Sequence, residues 1–173
     1  PIFANCPGDL TVNSDVDECG SNVIYSTPIV SDNCGVETLV MTSGIASGMT
    51  FPIGDTDIVF TATDAAGNMT TCEFTITVVD SDEPLLACPT SFEIGNDAGE
   101  CSWTSAAMQL DPVVAEENCN GILTHTILSS DGSADVTGAA GAVPSTELPS
   151  GVNTVTYTLT DDTGVQMTSC SFT

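Results

Sequence analysis

Two neighbouring stretches decide the fold class: Thr61-Ala62-Thr63-Asp64-Ala65-Ala66-Gly67-Asn68, and Thr70-Thr71-Cys72-Glu73-Phe74-Thr75-Ile76-Thr77-Val78-Val79. In the second, Cys72, Phe74, Ile76 and Val78 alternate with Glu73, Thr75, Thr77 and Val79. A period of two puts the first set on one face of a β-strand and the second set on the other. Asp57–Thr63 alternates in the same way, and the Ala-Ala-Gly-Asn between the two runs is turn chemistry, so together they predict a hairpin. Working outward, Asp9–Asn13, Asn22–Ser26 and Val36–Thr42 repeat the pattern, each bounded by Gly, Pro, Asn or Asp. Helical periodicity is scarce. Short strands at regular spacing predict an all-β sandwich or barrel.

The motifs then recur in order. Cys6-Pro7 returns as Cys88-Pro89, Cys19 as Cys101, and Asp32-Asn33-Cys34 as Glu117-Asn118-Cys119. Phe51-Pro52-Ile53-Gly54 returns as Leu148-Pro149-Ser150-Gly151, Thr61–Gly67 as Thr158–Gly164, and Cys72-Glu73-Phe74-Thr75 as Cys170-Ser171-Phe172-Thr173. This predicts two tandem domains, 1–80 and 81–173, meeting at the acidic linker Asp80-Ser81-Asp82-Glu83-Pro84. The second copy carries an insertion around Ser129–Ala142 and lacks a counterpart of Ile76–Val79, so its last strand is truncated. Two expectations follow. The sequence is a slice of a longer repeat chain, in keeping with its opening on Pro1 and not Met, or a neighbouring subunit completes the strand. Eight cysteines without a single Cys-x-x-Cys pair read as disulfides formed in an oxidising compartment. Domains this small need such staples.

The series Cys-Pro, Asp-Asn-Cys-Gly, Phe-Pro-Ile-Gly, Thr-Ala-Thr-Asp-Ala-Ala-Gly-Asn and Thr-Cys-Glu-Phe-Thr resembles the hyalin repeat (HYR) domain. The resemblance is close over 1–80 and looser over 81–173, where Glu117 replaces Asp, Asn120-Gly121 follows the cysteine and Val165-Gln166 stands in place of Asn. It implies two tandem immunoglobulin-like or fibronectin-III-like β-sandwich domains of the kind found in extracellular adhesion and matrix proteins. In an immunoglobulin-like topology the first and last strands can lie side by side, which points to Cys6–Cys72 and Cys88–Cys170. Cys19–Cys34 and Cys101–Cys119 would then remain, although each of these pairs flanks one strand and must double back to meet. Four cysteines per domain allow three connectivities, and this is one of them.

The charge excludes several functions. Among 173 residues there are 24 acids, no Lys or Arg, and one histidine, His125. Binding nucleic acid requires cations that displace counterions from phosphate, and anionic membranes are disfavoured for the same reason. No apolar run is long enough to span a bilayer, and 41% hydrophobic residues suffice for a core. No catalytic residue is expected: His125 has no histidine or lysine partner, and its segment, Ile122–Leu128, reads as a strand.

Unpaired carboxylates suit calcium, which takes six to eight oxygens. The expected interdomain Ca2+ ligands are Asp80, Asp82 and Glu83 of the linker with Glu117, Asn118, Asp161 and Asp162. Asp32, Asn33 and Asp64 form the matching set in the first copy. The competing reading makes these Asp and Asn residues turn formers. Asn68-Met69-Thr70 is an N-glycosylation sequon, and Trp103, Phe92 and Tyr157 are expected in or near the second core. The sequence therefore predicts an extracellular structural or adhesive module that self-associates into a fibre or filament or joins neighbouring repeats. The alternative is an adhesin-type module that recognises carbohydrate or protein through its loops.

Overall fold

A computed structural model describes residues 1–106, 109–129, 131–132, 135–139, 143, 145–161 and 167–173. The described chain is all-β and divides into two compact units, Pro1–Asp82 and Glu83–Thr173. The division falls two residues beyond the expected boundary because the linker is tied to the first unit. Ser81 N–H donates to Ser14 Oγ at 3.2 Å, and Asp17 N–H donates to the Asp82 carboxylate at 2.8 Å. No helix among the described residues is long and apolar enough to cross a membrane.

The first unit contains β1 (Ile2–Asn5), β2 (Leu10–Asn13), β3 (Gly20–Val23), β4 (Ile29–Ser31), β5 (Val36–Ser43), β6 (Met49–Pro52), β7 (Gly54–Asp64) and β8 (Met69–Val79). A four-stranded sheet runs β2-β8-β7-β5, with β2 parallel to β8 and the other pairs antiparallel. Two further antiparallel pairs, β1-β4 and β3-β6, supply the other layer. The alternation in β7 and β8 does what the sequence predicts. Ile58, Phe60, Phe74, Ile76 and Val78 are buried on one face, against Val23 of β3, Phe51 of β6 and the partly buried Phe3 of β1. This is the layering of an immunoglobulin-like sandwich.

One predicted strand is displaced. The run Asn22–Ser26 is paired only as far as Val23, because Tyr25 leaves the ladder to enter the core. Its hydroxyl donates to the Ile45 carbonyl at 2.7 Å. Its ring makes edge contacts with Phe51, Phe60 and Phe74 at centroid distances of 6.3, 6.5 and 5.3 Å.

The second unit repeats these pairings. It contains β9 (Leu85–Ala87), β10 (Ser102–Thr104), β11 (Val114–Glu116), β12 (Ile122–Leu128), β13 (Asp135–Ala139), β14 (Glu147–Pro149), β15 (Thr154–Thr160) and β16 (Met167–Phe172). The pairs β9-β11 and β10-β14 match β1-β4 and β3-β6, and β12-β15-β16 matches β5-β7-β8. The sequence insertion supplies β13, an extra strand on the free edge of β12. Leu110, Ile127, Val143, Leu148, Val155, Tyr157 and Phe172 form the core.

In the first unit the N-terminal segment passes from the β1-β4 pair to the four-stranded sheet at Cys6-Pro7-Gly8. There Cys6 is bridged to Cys72 of β8, with Cα atoms 5.7 Å apart. Cys88–Cys170 makes the equivalent bridge in the second unit at 5.6 Å. The other two expected bridges are not formed: Cys34 and Cys101 carry free, exposed thiols, whereas Cys19 and Cys119 are disulfide-bonded.

Topology explains the correction to Cys19–Cys34 and Cys101–Cys119. Cys34 lies at the turn end of the β7–β8 hairpin, two residues before Val36, which pairs with Asp64. Cys19 precedes Gly20, whose carbonyl accepts from Asp15 N–H next to Ser14, and Ser14 N–H donates to Val79 at the far end of β8. Eleven residues of strand separate those ends, about 30 Å, whereas a disulfide requires Cα atoms within about 7 Å. In the second unit Cys119 lies near Ile122, which pairs with Thr160 at one end of β15. The Cys101 carbonyl accepts from Ser150, which precedes the other end.

The Cys6–Cys72 and Cys88–Cys170 bridges close long loops of 66 and 82 residues, each a constraint on the unfolded chain of about 4 kcal/mol. Replacing both members of either pair by serine (C6S with C72S, or C88S with C170S) is expected to lower the urea-unfolding free energy of that unit by about this amount, read from the midpoint at unchanged slope.

Candidate functional site

At the hairpin end of the first unit, the loop after β4 and the β7–β8 turn are held by two aspartates. Asp32 Oδ1 accepts from Cys34 N–H at 2.8 Å, and Oδ2 takes the N-terminal ammonium of Pro1 at 2.9 Å. That ammonium first, then the Cys34 N–H, holds the Asp32 carboxyl below the usual carboxylate range, against the opposing charge of Asp64. Asp64 is buried. Its Oδ1 accepts from the N–H groups of Ala66 and Asn68, both at 2.9 Å, and its Oδ2 accepts from the Asn68 side-chain amide at 2.7 Å. The Asn68 amide is the main cause of a depressed Asp64 pKa. Both carboxylates therefore shape turns, and Asn68, the sequon residue, belongs to the same turn.

The second unit reproduces part of this arrangement. Glu117 Oε1 accepts from Cys119 N–H at 3.1 Å, as Asp32 does from Cys34. Its other oxygen, Oε2, is buried without a hydrogen-bond partner. The longer side chain lies across Gly121, where an added Cβ would meet Glu117 Cγ and the Thr160 carbonyl. Asn120 occupies the place of Gly35, and both have positive φ, 70° and 101°. Asn is the residue that best replaces Gly in that left-handed conformation, which accounts for the departure in sequence. Asp161, the counterpart of Asp64, is 1% exposed. Asp162 lies outside the described residues.

The expected ligands come from both units. Asp32, Asn33 and Asp64 gather at one end of the first unit. Asp80 and Asp82 follow β8 at its other end, where Asp80 Oδ1 accepts from Asp82 N–H at 3.1 Å. Glu83 is exposed and opens the second unit; Glu117, Asn118 and Asp161 belong to the same unit.

A second feature is a groove of about 410 Å3 in the second unit, lined in part by Phe92, Trp103, Gly151, Asn153, Phe172 and Thr173. Phe92 meets Trp103 edge-on at 6.2 Å and stacks on Phe172 at 6.3 Å. In the first unit the equivalent space is filled by chain. There Ile76 and Val78 of β8 pair with Thr56 and Gly54 on one side and with Leu10 and Val12 on the other. Their counterparts along the groove are Asn153, Gly151, Phe92 and Ile94. The parallel pairing of the first unit is begun here by Phe92 N–H, which donates to the Thr173 carbonyl at 3.0 Å. The free thiols of Cys34 and Cys101 were not foreshadowed in the sequence.

His125 is buried in β12 with its ring tilted against Tyr157 at 5.8 Å. Neither ring nitrogen has a hydrogen-bond partner. Burial, reinforced by the nearby Asp111 carboxylate, pushes the Tyr157 phenol well above its ordinary value. These groups serve the core.

Comparison with known proteins finds a family match over the first unit and relatives along the chain. Residues 1–78 match the HYR domain family. Hyalin of Strongylocentrotus purpuratus is 25% identical over the whole chain, which spans 13% of that protein. Hyalin of Lytechinus variegatus is 29% identical over 95% of the chain and 28% of its own length. The mouse sushi, von Willebrand factor type A, EGF and pentraxin domain-containing protein 1 is 28% identical over 92% of the chain, which spans 4% of it. The chain therefore spans a minor part of each of these relatives.

Because its folded pKa is depressed, Asp64 contributes stability that is present above its unfolded value of about 4 and lost as pH falls through the folded value. Asp64→Asn keeps an acceptor oxygen for the turn but removes the charge. The expected outcome is a melting temperature that falls less steeply than wild type below about pH 4, measured by circular dichroism.

Proposed function

We propose that this chain is an extracellular structural and adhesive repeat module, without catalytic activity, that joins end to end in a fibre, filament or matrix. The observation that carries the reading is the succession in one chain of two β-sandwich units, each stapled across its layers by a disulfide, Cys6–Cys72 in the first and Cys88–Cys170 in the second. The HYR match over 1–78 and the hyalin relatives support it, as do the disulfides, which persist in oxidising surroundings. Negative-stain images of the purified chain at high concentration are expected to show linear assemblies, and discrete monomers would contradict the reading.

Calcium belongs to the same reading. The buried, unpartnered Glu117 Oε2 offers an oxygen in a chain without lysine or arginine to neutralise it. A cation bound only by the folded protein at about 100 times its dissociation constant adds roughly 2.7 kcal/mol. Calcium is expected to raise the melting temperature by several degrees over chelator, and Glu117→Gln to remove the difference. Asn68 is the proposed glycan acceptor.

A second reading, an adhesin-type module that binds carbohydrate or protein, is favoured by Trp103 and Phe92 in the groove of the second unit. It predicts a change in Trp103 fluorescence on adding polysaccharide, whereas the structural reading predicts none.

A further inference from the structure

Cys34 and Cys101 are both exposed and both free, and neither has a partner within reach in its own unit. Cys6–Cys72 and Cys88–Cys170 are closed, and Cys19 and Cys119 stand at the opposite ends of their units from Cys34 and Cys101 respectively. The repeat adds an independent observation. Cys19 holds in the first unit the place of Cys101 in the second, and Cys119 holds the place of Cys34. Both of these counterparts are disulfide-bonded. Each of the two positions in the repeat is therefore seen once oxidised and once free.

We propose that Cys101 of one molecule and Cys34 of a second copy of this chain form an intermolecular disulfide, a covalent link between the groove end of one second unit and the hairpin end of the next first unit. The location of Cys101 fits this partner. Its carbonyl accepts from the Ser150 hydroxyl at 2.8 Å, at the end of the second unit remote from the disulfide-bonded Cys119, so the thiol is free to meet a partner from outside the unit. Cys34 adjoins Asp32 at the hairpin end, where the N-terminal residue is bound. A contact between two different surfaces leaves a free surface at each end, and unless its rotation closes a ring it propagates as a linear chain. A covalent bond also meets the electrostatic problem: molecules carrying a formal charge of −24 repel one another, and a disulfide holds them irrespective of salt.

The chemistry balances through thiol–disulfide exchange with a small or protein disulfide as oxidant. The thiolate of one cysteine attacks the oxidant disulfide, displacing one thiol and forming a mixed disulfide. The second cysteine then attacks its partner's sulfur and displaces the second thiol. Two protons and two electrons pass from Cys34 and Cys101 to the oxidant, which leaves as two thiols.

The inference rests on the end-to-end reading but fails separately from it. The chain, with its structural bridges intact, is incubated with oxidised glutathione and followed by non-reducing electrophoresis, light scattering and intact mass. Wild type is expected to give a ladder of multimers that reductant collapses to monomer. Cys34→Ser and Cys101→Ser, each alone, are expected to give at least tenfold less cross-linked material, while an equimolar mixture of the two stops at a dimer. Both substitutions fall at exposed sites, and an unchanged melting temperature verifies folding. Self-dimers of either single variant, or wild type remaining monomeric with glutathione on both thiols, would overturn the proposal. Linear assemblies formed by the C34S, C101S double variant would then leave the end-to-end reading standing without its covalent link.

Discussion

The passage of the N-terminal segment from one layer to the other, fixed by sulfur at Cys6 and Cys72, is the constraint on which the first unit depends. Before the crossing, β1 pairs with β4; after it, β2 runs parallel to β8. A parallel pair between distant segments has a high loop-closure cost, and the bridge removes much of that cost by confining the unfolded chain. Cys88 and Cys170 do the same for β9 and β16. With these crossings fixed, the buried faces of β7 and β8, or of β15 and β16, meet the smaller strand pairs around cores of a few aromatic and branched side chains.

The acidic composition sets the second constraint. Without lysine or arginine, carboxylates are accommodated by backbone N–H groups and amides. Asp32 and Glu117 each accept from the N–H of the cysteine two residues on, Asp64 organises the β7–β8 turn, and Asp15 accepts from Ser21 and Asn22. Where those donors run out, as at Glu117 Oε2, the structure leaves a carboxylate oxygen to be met by a cation from outside. Turn formation and metal binding are in this sense the same chemistry at different degrees of satisfaction.

Much of the fold was legible because strand periodicity is local. The alternation over Thr70–Val79 gives β8 nearly residue for residue, and Ile122–Leu128 is β12 as read. The short strands β1, β4 and β6 were not legible, since three or four residues carry too little period to register. Tyr25 misled for a related reason: its pattern is that of a strand, but its ring is drawn into the core by Phe51, Phe60 and Phe74. The disulfides divided along the same line. Cys6–Cys72 follows from which strands are neighbours, whereas Cys19–Cys34 failed because sequence proximity conceals that the intervening strands carry the two residues to opposite ends of the unit. Of the expected ligands, Asp32 and Asp64 lie at one end of the first unit, while the Asp82 carboxylate accepts from Asp17 N–H and Asp80 Oδ1 from Asp82 N–H.

The two units thus share a plan and differ in the added strand β13, in the Glu117–Gly121 loop and in which cysteines are bridged. The pairing of the eight cysteines tests this account most directly. Mass spectrometry of the folded monomer, digested with pepsin at low pH without reduction, should recover Cys6 linked to Cys72 and Cys88 linked to Cys170, with Cys34 and Cys101 as thiols. Recovery of Cys19 joined to Cys34, or of Cys6 as a free thiol, would contradict it.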